Sequence, residues 1–366
     1  MFAAVAEKMR RSVSASTAPK FSHETKGDGV LKGDSVIVEA FGSRKCPKLI
    51  EEVMSDDSTT RRNALAVLCD EMHNPLSVQG CVESGMVQVL NNYIAKSEDP
   101  ETKVRASRAL ATAAMDANGR RSMLSMNSAR EVLVGVDDPN VEVRRNVYEA
   151  LVNFTRGTLP NLKSVIAAKY PSTLVNKAAI ETPEVQPLVL KLLYNCIKDE
   201  SGLEDALGAG GTQICIGLLS SQNTEVRKEA ANTLCFLCFT ESAKQDAILN
   251  NAVELLCGLL KDESWEVISA AAGALMAITT TDEGKRAFVP AEGAEAIMSL
   301  LAYNNSRSVR LNVLKVICNV AVHPKVRKQL RDDPRVLPAL EDFELGEDTL
   351  VAKHACIAMA AVLWEP

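Results

Sequence analysis

The sequence predicts an all-α, right-handed solenoid of about seven to eight repeats, and three observations predict it. A phrase with small or apolar residues at offsets zero, four, five and eight recurs through most of the 366 residues. Its copies step by about 41 residues. Aromatic residues make up only 4% of the chain, which suits helix interfaces of Ala, Leu and Val, since β-rich folds favour aromatic and β-branched side chains.

The phrase reads TRRNALAVL from Thr60, VRRNVYEAL from Val143, VQPLVLKLL from Val185, VRKEAANTL from Val226, VISAAAGAL from Val267 and VRLNVLKVI from Val309. Looser copies start at Val104 and Leu350, so the steps are 44, 39, 42, 41, 41, 42 and 41. Offsets zero, four, five and eight share one face of a helix. Turn signals precede each copy: Asp99-Pro100, Asp138-Pro139, Thr182-Pro183, Ser221 to Thr224 and Asn304 to Ser306. Asp or Thr followed by Pro caps a helix start, because the side-chain oxygen takes an orphan amide and Pro has none to leave over.

A second amphipathic helix is expected before each turn, as in VQVLNNYI (87–94), TQICIGLL (212–219), AVELLCGLL (252–260) and AEAIMSLL (294–301). These follow Gly85, Gly211, Asn251 and Gly293. With a short helix at the junction, the unit is a three-helix armadillo repeat; without it, a two-helix HEAT repeat. One unit cannot bury both faces of its helices, so stability is expected to come from apolar seams between neighbours. Ala64, Ala230, Ala231, Ala271 and Ala272 at offsets four and five allow close helix approach. Arg108 and His354 break the pattern of the looser copies, and the last copy is expected to be a terminal cap.

The domain reading is a flexible arm over residues 1–40 and a solenoid over 41–366. The first 18 residues are Ala-, Ser- and Arg-rich, which suits either such an arm or a transit peptide. The net charge of −6 and the lack of a long Lys/Arg run argue against nucleic acid as a partner. No apolar run reaches the roughly 20 residues of a membrane span, so no membrane partner is expected either. Ten cysteines scattered through apolar runs suit a reducing compartment.

Catalytic and metal chemistry finds no footing, and no cofactor is expected. Cys235-Phe-Leu-Cys238 has redox spacing but lacks two further ligands and a βαβ context. His23, His73, His323 and His354 are dispersed, with no nucleophile motif beside them. The Gly208 to Gly211 run lacks the Lys-Ser/Thr of a phosphate loop and reads as an inter-helix turn. Candidate partner-binding residues lie instead on ladders. Offset one carries Arg61, Arg105, Arg144, Arg227 and Arg310, which either grip acidic partner segments or pair locally with turn acids such as Asp57, Asp99 or Asp138. Offset ten carries Asn153, Asn195 and Asn319. In armadillo proteins of the importin-α kind such an Asn faces the concave groove and bonds an extended peptide. The companion Trp at offset six is absent here, where Ala66, Glu149, Lys191, Asn232, Gly273 and Lys315 stand, so classical nuclear-import cargo binding is not expected.

FGSRKCPKL (41–49), RNALAVLCDEMHNP (62–75), KDESWEVISAAAGALMAITTTDEGK (261–285) and the ending AVLWEP together resemble one armadillo family. These are the radial spoke head 14 homologues, also called rhabdoid tumour deletion region proteins. The resemblance covers roughly residues 40 to 366 and departs in the Ser/Arg-rich arm and the loose second repeat. It implies a non-enzymatic scaffold subunit of the ciliary or flagellar radial spoke. Such a subunit sits in the cytoplasm on the axonemal cytoskeleton, in a hetero-oligomeric complex with other spoke proteins. The alternative is a cytosolic armadillo adaptor that holds extended peptides in its groove.

Overall fold

A computed structural model describes residues 42–301 and 306–365, and among these every regular element is helical. They belong to one compact unit, Glu39–Pro366. The arm expected over residues 1–40 lies outside the described residues.

Eight long helices carry the recurring phrase: Ser58–Glu71, Pro100–Ala113, Val141–Thr155, Gln186–Cys196, Thr224–Leu237, Trp265–Ile278, Arg307–Val320 and Thr349–Leu363. Each packs on the next in chain order, which makes an unbroken row. Two or three further helices precede every long helix after the first, for example Pro75–Glu83 and Met86–Lys96 before Pro100–Ala113. A junction helix is therefore present in each unit, and the unit is the three-helix armadillo pattern.

The starts of the long helices are set by capping. Asp57, Asp99, Asn140, Asn223, Ser264, Ser306 and Asp348 each accept a first-turn amide with the side-chain oxygen. Asp99-Pro100 is cap and first helical residue, as its sequence indicates. Asp138-Pro139 and Thr182-Pro183 instead sit within the turn. Asp138 accepts from the Asn140 amide at 2.9 Å and leaves Asn140 as the cap. After Thr182-Pro183 the helix starts only at Gln186, with Val185 at the cap position and Pro187 in the first turn.

These caps correct the register of two repeats. The anchor is the third helical residue of each capped long helix: Thr60, Thr102, Val143, Val226, Val267, Val309 and Val351, all buried except the half-buried Thr60. The second anchor is thus Thr102 and not Val104, and the eighth is Val351 and not Leu350. With Thr102 as origin, Ala106, Ser107 and Leu110 fall at offsets four, five and eight, all fully buried. Arg108 moves to the exposed offset six, so the second repeat is regular. The step is then 41 or 42 residues throughout. In the last repeat Ala355 is buried but Cys356 at offset five is exposed, because no further helix covers it.

The chain reverses between first and second helices through one left-handed residue: Gly85, Asn127, Lys169, Gly210, Asn251 and Glu292. The expected Gly211 and Gly293 are each one residue later, at the first helical position. Gly293 serves close approach, since a Cβ there would lie 2.4 Å from the Phe288 ring. Lys169 adopts φ +66° with an ordinary side chain, a conformation that costs an L-residue roughly 1–2 kcal/mol. Lys169→Gly is therefore expected to raise the unfolding free energy by about 0.5–1 kcal/mol, read as a higher urea midpoint. An unchanged or lower midpoint in equilibrium unfolding would show that Lys169 is not strained.

The core is the seam between units. Offsets four and eight are buried in every long helix from Ala64 and Leu68 to Val313 and Ile317. Where both sides carry alanine, as Ala230, Ala231, Ala271 and Ala272, the Thr224–Leu237 and Trp265–Ile278 helices make the most extensive helix contact among the described residues.

Candidate interaction surface

The fourth residue of a long helix points back over its own N-terminal turn. There Arg61, Arg144 and Arg227 each donate an Nη1 hydrogen to the carbonyl six residues earlier: Ser55 at 3.0 Å, Asp138 at 2.9 Å and Ser221 at 2.9 Å. The rest of the guanidinium reaches forward to the next unit. Arg144 forks onto Glu181 at 2.9 and 2.7 Å, and Arg227 bonds Asp262 at 2.8 Å. Lys103, at the same position in the second repeat, pairs with Asp138 at 2.7 Å. In the first repeat Arg61 reaches Thr102 Oγ1 at 3.4 Å, while Arg62 forks onto Asp99 at 2.9 and 2.7 Å.

The basic ladder is thus a set of staples, each joining a unit to the turn of the unit after it. The pairing runs 35 to 37 residues forward. The turn acids before each cation, which sequence alone offered as partners, are not the ones used. Arg105 leaves this ladder with the register correction: it bonds the Arg62 carbonyl at 2.6 Å and Glu101 at 2.6 Å. Arg310 keeps its place but finds no carboxylate among the described residues, where its Nε is also buried without a hydrogen-bond partner; its guanidinium lies 5.9 Å from the Phe343 ring centre.

Burial and pairing set the acids. Burial alone would raise Glu181, but the Arg144 fork, the Thr182 amide and the Arg144 charge outweigh it and hold the carboxyl below its usual range. Asp99 is held far below that range, first by the Arg62 hydrogen bonds and then by the Thr102 hydroxyl.

Asn153, Asn195 and Asn319 also bridge units. Their Nδ2 groups donate to the Ala111 carbonyl at 3.5 Å, to Thr155 Oγ1 at 3.0 Å and to the Met276 carbonyl at 2.9 Å. All three side chains are partly exposed. Sequence reasoning missed a second asparagine set at offset three. Asn146 donates to Ser107 at 3.1 Å and Asn312 to the Ser269 carbonyl at 2.9 Å, each closing on the unit before it. The recurrence of Asn63, Asn146 and Asn312 was the available signal.

Cys235 and Cys238 lie on and at the end of one helix, where burial pushes Cys235 up to about 11 and Cys238 higher still. Cys196, Cys215 and Cys257 are pushed up to about 12 by burial, so these thiols stay protonated near neutral pH. Among the described residues no group of three His, Cys, Asp or Glu could hold a metal ion, and no helix is long and apolar enough to cross a membrane. Gly208 to Gly211 form an inter-helix turn with Gly210 in the left-handed region. His323 caps the Pro324–Asp332 helix by backbone alone, and His354 is lowered by burial and then by Lys315 and Lys353.

One further row is exposed in every unit. It lies thirteen residues after each anchor, just past the long helix. Four of its members are large and apolar, Met115, Phe239, Val322 and Trp364, all more than half exposed. The other four are His73, Arg156, Lys198 and Thr280, also exposed. The row holds no acid.

Solved structures share this architecture. An engineered protein matches with a TM-score of 0.79 and 26% identity, over 87% of this chain and 78% of the other. A designed armadillo repeat protein, solved with a (KR)4 peptide, matches with a TM-score of 0.55 and 22% identity over 66% of this chain and 99% of its own. The family model for HEAT repeats matches residues 212–290. This chain has the armadillo-type repeat fold. It is also similar to a curated relative, radial spoke protein 14 of Chlamydomonas reinhardtii, at 25% identity over 123 residues. That match takes in 34% of this chain and about a third of the relative, 32% of its length. Its name agrees with the radial spoke family that the sequence resembles.

Proposed function

We propose that the chain is a non-enzymatic structural subunit of the axonemal radial spoke, in which its row of stapled units presents binding surfaces to other spoke proteins. The observation that carries this reading is the 123-residue similarity to radial spoke protein 14. The construction of the molecule agrees with it. Arg62, Lys103, Arg144 and Arg227 join units, and the buried thiols are held protonated. What recurs on the outside is surface, repeated once per unit. The candidate ladder residues Arg61, Arg144 and Arg227 serve this role by fixing the spacing of that surface, with Arg105 and Arg310 beside them. Asn153, Asn195 and Asn319 do so while keeping an exposed edge toward a partner.

Fractionation of ciliated cells tests the proposal. The protein is expected to remain with axonemes after detergent removes the membrane, to be released only by strong salt, and to be missing from axonemes that lack spokes. Quantitative recovery in the detergent-soluble fraction would refute the spoke assignment and leave only the cytosolic adaptor.

A further inference from the structure

The exposed row changes character between the third and fifth units, where a cation, a second cation and an aromatic ring follow one another: Arg156, Lys198 and Phe239. Lys198 and Phe239 are joined into one ledge through two further rings, and Arg156 lies one unit before them. Arg156 Nη1 donates to Asn153 Oδ1 at 3.5 Å, and Lys198 Nζ to Asn195 Oδ1 at 3.3 Å. The Lys198 ammonium lies 4.3 Å above the centre of the Tyr194 ring. Phe236 meets Tyr194 edge-on at 5.8 Å and Phe239 at 5.5 Å, with interplanar angles of 82° and 84°. Phe239 at the far end is 61% exposed.

Two features mark this ledge. Arg62, Lys103, Arg144 and Arg227 each hold a carboxylate of the next unit, whereas Arg156 and Lys198 have no carboxylate partner among the described residues. The rings support one another so that Phe239 stands out as a fixed apolar edge, a costly arrangement for a side chain with nothing to cover it. Both point to an anionic, partly apolar occupant. Neighbouring helices in such a row lie about 8–10 Å apart. An extended chain advances about 3.3 Å per residue, so roughly three residues span one unit.

We propose that Arg156, Lys198 and the Tyr194–Phe236–Phe239 ledge dock an extended acidic segment of a partner protein, with two carboxylates about three residues apart on the cations and a large apolar side chain about three residues further on against Phe239. The proposal rests on the scaffold reading above, and it names where and by what chemistry one partner is held.

A displayed library of random 12-residue peptides (roughly four units' reach at 3.3 Å per residue), selected on the full-length chain, tests it. Enriched peptides are expected to be acidic, to carry an aromatic or large aliphatic residue, and to bind less tightly as NaCl rises. Arg156→Glu with Lys198→Glu should weaken them by about tenfold or more through like-charge contact, with an unchanged melting temperature because both side chains are exposed. Phe239→Ala should weaken them separately, and the milder Arg156→Ala with Lys198→Ala serves if the charge reversal perturbs folding. Enrichment of basic peptides, equal binding to the variants, or no enrichment would each overturn the ledge. Axonemal fractionation is read independently, so loss of the spoke assignment leaves this result standing, and the reverse.

Discussion

Ala271→Glu is expected to unfold the middle of the row, at a cost of about 4 kcal/mol or more. Ala271 sits at offset four of the Trp265–Ile278 helix and is 0% exposed, on the helix that makes, with Thr224–Leu237, the most extensive helix contact among the described residues. A carboxylate there has no room and no cation, so it must either displace the seam or be buried unpaired. Because each unit relies on its neighbours, the damage should spread to the units on either side while distant ones keep their structure. Hydrogen exchange is expected to show lost protection from about residue 224 to 320 with the first three long helices still protected; the residue range follows the helices that border the seam. Ala271→Ser should behave nearly as the parent. A melting temperature unchanged in the glutamate variant would show that the register is wrong.

The second large effect belongs to Glu181. Its side chain is 3% exposed and its partner Arg144 16%, so removing one charge strands the other in a poorly solvated place. Glu181→Ala is expected to cost about 3 kcal/mol, the lower end for breaking a buried pair, since Arg144 keeps its bonds to the Asp138 and Pro139 carbonyls. The exposed pair Arg286–Glu283 is the control, where Glu283→Ala should cost under about 0.5 kcal/mol. Glu181 also makes stability depend on pH. Its folded carboxyl titrates below the ordinary 4.5, so its contribution is complete above that pH and is lost as pH falls through the folded value. Asp99, held lower still by Arg62, acts in the same direction. Chemical denaturation from pH 7 to 3 should therefore show a steep loss below about pH 4.5 in the parent and a shallower one in Glu181→Gln. Parallel curves would remove Glu181 from the account.

The period and the buried face were legible in the sequence because a 3.6-residue helix writes them directly as spaced apolar letters. Two registers were not. Thr102 is a hydroxyl at an anchor that is Val in most units, and it is buried because its Oγ1 satisfies Asp99 at 2.5 Å. Read as a letter it suggests a turn, and Val104 takes its place. The staples were hidden for a different reason. A cation and its acid lie 35 to 37 residues apart, a distance that no local pattern rule joins, and only the repeat length brings them together. The asparagines were legible as a ladder, but their amides turn to the preceding unit, a direction that residue type does not encode. The exposed row was open to reading all along, since thirteen residues past each anchor the letters are His, Met, Arg, Lys, Phe, Thr, Val and Trp.

The staples are not evenly spread. Gln186 stands where the fourth repeat would carry its cation and turns instead to the Ala178 carbonyl at 2.9 Å, and Ile268 stands there in the sixth. Under tension along the row, the joints bearing Arg144 or Arg227 would resist through close ionic links that dissolved salt weakens, the joint at Gln186 through the longer Lys191–Glu229 pair at 3.6 Å, and the joint at Ile268 through the Asn312 and Asn319 amides on the Ser269 and Met276 carbonyls. Resistance to tension is then graded along the row, and dissolved salt lowers it most at the joints that carry Arg144 and Arg227.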